Sequence, residues 1–94
     1  MSISFFQHHT PPEIALALAA NVRARRKERK LTQSGLAKLS GVSLGSIKRF
    51  ESSGEISLKS LLNIAVVLGC EEDFLSLFTK KHYASIEDAI NEKS

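Results

Sequence analysis

The groups in this 94-residue chain that could do chemistry are mostly cations, and they crowd its first half. Arg23, Arg25, Arg26, Lys27, Arg29, Lys30, Lys38, Lys48 and Arg49 face only Glu13 and Glu28 there, a net +7 over residues 1–50. Residues 51–94 carry four Lys and eight acids, a net −4. Such a division suits capture of a polyanion by one end while the other meets a different surface. Solvated helix faces would give the same tally. The remaining candidates are isolated. His8 and His9 are adjacent but have no third ligand nearby, too little for a metal site. Cys70 is the sole cysteine and reads as a small apolar packing group, not a disulfide half or a redox switch. There is no glycine-rich phosphate loop, carboxylate pair at catalytic spacing or nucleophile elbow. The expectation is a protein that is not an enzyme and uses no metal or cofactor.

The elements that must hold these cations read as helices. At 43% apolar, the chain can support one small core, and dimerisation would help so short a domain. No run approaches the roughly 18 apolar residues of a membrane span, and no secretory signal is evident, so a cytoplasmic setting is expected. Thr10-Pro11-Pro12-Glu13 has the form of a helix start, with a Thr cap, an early Pro and Glu at the third position. Beyond it Ile14, Ala15, Leu18, Ala19 and Val22 share a face, and Arg26 falls inside that apolar arc. Thr32 can cap a second helix near Gln33–Leu39, and Ser43 a third from Leu44 to about Ser52. Ser57 can start a fourth, expected to be largely buried through Leu58, Leu61, Leu62, Ala65 and Leu68, with Gly69 at its end. A fifth is expected near Glu71–Thr79, packing through Phe74, Leu75, Leu77 and Phe78. Ser85–Asp88 suggests a short terminal helix.

Residues 33–50 fit two short helices joined by a tight turn. Ala37 is small enough for close approach, Gly41 suits the turn, and Val42 plugs the corner. Ile47 and Phe50 anchor the second helix, leaving its outer face to enter a groove. The run Leu31-Thr32-Gln33, Leu36-Ala37, Gly41-Val42-Ser43, Ile47, Glu51 and Gly54 resembles the Cro/C1-type (XRE) helix-turn-helix family over about residues 14–78. The resemblance implies an all-α, five-helix, lambda-repressor-like DNA-binding domain at 11–79. An N-terminal arm (1–10) and a C-terminal tail (80–94) flank it. Gly35 departs from a good helix former, read here as neutral.

The same resemblance implies site residues. Gln33 would meet a backbone phosphate, and Ser43 a phosphate or base edge. Base-reading positions fall on Leu44, Gly45, Ser46, Lys48 and Arg49. Leu44 offers a thymine methyl contact or ordinary packing, Gly45 offers nothing, and Arg49 or Lys48 could reach guanine. Direct readout is therefore thin, with phosphate contacts and DNA deformability carrying part of the specificity. The resemblance also pairs Arg26 with Glu51 as a buried brace between the first and third helices.

Val42–Glu51, Gly54–Leu62 and the tail are similar to an antitoxin subgroup paired with HipA-type kinase toxins. Two roles follow: a homodimeric repressor of double-stranded DNA, and an antitoxin that binds a toxin protein. Phe74, Leu77, Phe78, Tyr83, Ile86 and Ile90 are more apolar groups than so short a chain end can bury alone. They are expected to form most of a homodimer interface.

Overall fold

The structure, a computed structural model, describes residues 9–81. Among them are five helices and no strand: α1 (Pro11–Glu28), α2 (Gln33–Ser40), α3 (Leu44–Ser53), α4 (Leu58–Val67) and α5 (Glu71–Leu75). None is long and apolar enough to cross a membrane. Tyr83, Ile86 and Ile90, with the expected terminal helix, lie outside the described residues.

Four of the helices begin where a hydroxyl can satisfy an orphan N–H. Thr10, Thr32, Ser43 and Ser57 each accept from the backbone N–H three residues on. At Thr10 the exchange is reciprocal, because its own N–H donates to Glu13 at 2.8 Å. That bond, with the Thr10 hydroxyl, holds the Glu13 carboxyl below its ordinary pKa. Ends are equally local. Gly41, Gly54 and Gly69 all take positive φ, and Gly69 and Cys70 donate to Val66 and Ala65 at the close of α4. α1 ends on the same double bond, but with Lys30 at φ 59 in the place a glycine usually takes.

The core forms around α3. Leu36, Val42, Ile47, Ile64 and Leu68 make one buried cluster, and Ala19, Phe50 and Leu61 make a second. Val22 and Ile56 touch both, so the two are one continuous interior. Phe50, Leu36, Ile47, Ile64 and Leu68 are its largest fully buried side chains, each worth roughly 1.5–3 kcal/mol of transfer free energy. α1 packs chiefly on α3, α2 on both α3 and α4, and α5 chiefly on α4.

Two expectations fail at the far end. α4 is amphipathic and not largely buried, since Leu58, Leu62 and Val66 face outward. The fifth helix stops at Leu75, not Thr79, and only Phe74 of its apolar residues reaches the core. Leu75 and Leu77 are exposed, and Phe78 is 100% exposed at φ 65. The reason is shared: among the described residues α5 packs chiefly on α4 and reaches the core through Phe74 alone, so one face suffices. On α1, Ile14 is likewise 56% exposed instead of joining Ala19 inside.

Gly54 shows how tightly α1 meets the end of α3. A Cβ there would lie 2.8 Å from Ala15 Cβ and 2.9 Å from its carbonyl carbon, whereas one at Gly41 would meet nothing within 4 Å. Both glycines have positive φ. Gly41→Ala should therefore cost only the left-handed backbone penalty, about 1–2 kcal/mol. Gly54→Ala should cost more, adding overpacking of about 1–3 kcal/mol. Thermal melts of the two variants check the difference.

Candidate nucleic-acid interface

The outer face of α3 is built by burying its inner one. Ile47 and Phe50 are fully buried, which turns Gly45, Ser46, Lys48 and Arg49 to solvent and leaves Leu44 half-buried. Among the described residues neither Lys48 nor Arg49 forms an ion pair, so both cations face outward uncompensated. Ser52 and Ser53 hydroxyls donate to the Arg49 carbonyl and close the last turn. Ser43 is less available. Its hydroxyl caps Ser46 N–H at 3.1 Å and donates to Ser46 Oγ at 2.8 Å. Gly45 has open space around it, so no packing demands its missing side chain. A polar hollow of about 250 Å³ lies beside this face, lined by Ser46, Arg49, Glu55 and the α4 start at Ser57 and Ser60.

Beneath the face sits the ion pair. Arg26, 6% exposed, donates through Nε to Glu51 Oε2 at 2.8 Å and through Nη2 to Oε1 at 3.0 Å. Its Nη1 donates to the Leu31 carbonyl at 2.7 Å, while Leu31 N–H donates back to the Arg26 carbonyl at 3.1 Å. Gln33 Nε2 donates to Glu51 Oε1 at 3.0 Å. Arg23 approaches the same oxygen at 3.9 Å. Burial pushes the Glu51 carboxyl up, but the hydrogen bonds from Arg26 and Gln33 and the two arginine charges outweigh it and hold it below its ordinary value.

Gln33 thus stands at the N-terminus of α2 with one amide hydrogen already bonded within the protein. Its second N–H and its carbonyl oxygen are left for an outside partner. Sequence reasoning missed this bond, which links residues 18 apart. At Gly35 a Cβ would sit 3.3 Å from the capping Thr32 hydroxyl, at the third helical position, where Glu13, Ser46 and Ser60 carry side chains under the same kind of cap. Of the basic run on α1, Arg25 pairs with Glu28 at 3.1 Å and donates to Cys70 Sγ at 3.2 Å.

Two short helices at a glycine turn, the second exposing unpaired cations over a buried apolar anchor, define a helix-turn-helix. A sequence model described as Helix-turn-helix matches residues 22–75, more than half of the chain. The chain belongs to that family, in its Cro/C1-type (XRE) form, and is a DNA-binding transcription regulator. No curated protein and no solved structure matches it.

Replacing Arg26 or Glu51 by Ala should destabilise the domain by roughly 3–5 kcal/mol, because the survivor keeps a buried, unpaired charge. An unchanged melting temperature in both variants would make the pair incidental. The pH dependence has a definite sign. A carboxyl held below its ordinary 4.5 stabilises the fold fully above that value and loses its contribution as pH falls through the folded one. Acid titration of stability should therefore flatten in Glu51→Gln relative to the wild type.

Proposed function

We propose that the protein is a homodimeric repressor that binds a palindromic operator, inserting α3 of each copy into successive major grooves. The observation that carries this is the outward pair Lys48 and Arg49 above the fully buried Ile47 and Phe50. A helix fixed so firmly on one side presents a rigid edge on the other. Half-site centres would lie about 10 bp apart, one turn of DNA. Gln33, capped α2 and the hollow at Ser57 supply phosphate contacts, which set position without reading sequence. Leu44 meets a thymine methyl, and Arg49 reads guanine.

Dimerisation through Leu77 and Phe78, on the expected α5 surface, fits their exposure and would fix the distance between the two recognition helices. Phe74 supports that surface from inside, packed against the cluster of Ala19, Phe50 and Leu61. An antitoxin role would add a protein partner and autoregulation of a toxin operon. The acid-rich second half, net −4, is the feature that favours it, and a kinase-like toxin encoded beside this gene would test it.

Arg49→Ala should relax base preference and cost about 1–3 kcal/mol on the specific site alone. Equal losses on specific and random DNA would make Arg49 a phosphate contact. Affinity for the protein's own promoter should fall steeply with salt as counterions are released, and no salt-dependent, sequence-preferring binding would defeat the repressor reading. Phe78→Asp should leave the fold alone, since the side chain is fully exposed and Asp tolerates positive φ. Sedimentation should show a weaker dimer, with weaker operator binding in step.

A further inference from the structure

α1, α4 and α5 leave between them an open apolar groove of about 490 Å³. Ile14 and Leu18 form one wall, Ala65 and Leu68 the floor, and Phe74 and Leu77 the other wall. Arg25 and Asp73 are its charged residues. Ile14 and Leu77 are more than half exposed, at 56% and 55%. A patch of this kind in so small a domain marks a contact site.

We infer that the groove is the docking site for the chain's own C-terminal segment, residues 82–94. The described chain ends at Lys81, three residues past Phe78, which itself stands at the groove's edge. At no more than about 3.5 Å per residue, Tyr83 lies within roughly 18 Å of that edge. Tyr83, Ile86 and Ile90 recur at three- and four-residue spacing, so a helical turn would set all three on one side. Glu87, Asp88 and Glu92 against Lys93 make the segment acidic, and Arg25 is the cation lining the groove. The short tether and the apolar spacing therefore match the same groove.

Two other occupants fit less well. Residues 1–8 contain Phe5 and Phe6 but no acid, and adjacent rings cannot share a helical face. A second copy must compete with a segment tethered a few residues away, whose effective concentration is in the millimolar range. Leu77 and Phe78 line the groove and also carry the proposed dimer contact, so dilution is what separates the two: docking within one chain survives it.

Tyr83 is the only tyrosine and the chain has no tryptophan, so its fluorescence reports on the segment alone. Acrylamide quenching of the full-length protein should be much weaker than that of a free peptide spanning residues 80–94, at every protein concentration. Ile14→Asp and Leu77→Asp, each at an exposed rim position, should restore peptide-like quenching while far-UV circular dichroism keeps the helical signal. Quenching as strong as the peptide's in the wild type would overturn the proposal. So would protection that survives in both folded variants. Protection that vanishes on dilution through the dimer's dissociation would assign the groove to a second copy.

Discussion

A guanidinium with its head almost wholly out of water needs each of its nitrogens bonded, and at Arg26 those bonds tie three parts of the chain together. Glu51 comes from α3, the Leu31 carbonyl from the turn before α2, and the arginine itself from α1. No buried side-chain nitrogen or oxygen among the described residues lacks a partner. Such a pair adds little net stability, because desolvating both charges offsets most of their attraction. What it supplies is angle. A planar fork bound bidentately to one carboxylate tolerates little rotation of α3 about its own axis. The outward direction of Lys48 and Arg49 follows from that restriction as much as from the burial of Ile47 and Phe50.

The surface so aimed is chemically spare. Ser43 and Ser46 bond each other, Gly45 is bare, and Leu44 is half inside. Two long cations remain, and a face of this composition holds phosphate more readily than it distinguishes bases. Gln33 extends the logic. Its bond to Glu51 ties a polar group at the start of α2 to the residue that orients α3, so both contact points shift together or not at all.

What the sequence made legible was local. Thr10, Thr32, Ser43 and Ser57 could be read as caps because each needs only a hydroxyl three residues before a donor. Arg26 stood out because a charge inside an apolar arc must have a partner, though naming Glu51 took a family resemblance. Other features depend on chain segments far apart. Gly54 could be read as a helix stop, but its contact with Ala15 could not. Periodicity made α4 look largely buried, yet among the described residues no neighbour covers Leu58, Leu62 and Val66. Likewise the apolar residues after Leu75 promised helix, and with nothing to pack on, the chain turned instead.

The charge division read at the outset also resolves into separate parts. Within the basic run of α1, Arg26 is buried, Arg23 leans on Glu51, and Arg25 is engaged with Glu28 and Cys70. Arg29 lies over Gly69, close enough that a Cβ there would approach its Nη2 to 2.7 Å. That sets a cation at the C-terminus of α4, where the helix dipole favours one. Most of this run therefore holds the domain together instead of facing a ligand. Among the described residues the outward, unpaired charge of the basic half rests on fewer groups, Lys48 and Arg49 on α3 with Lys27, Lys30 and Lys38 elsewhere.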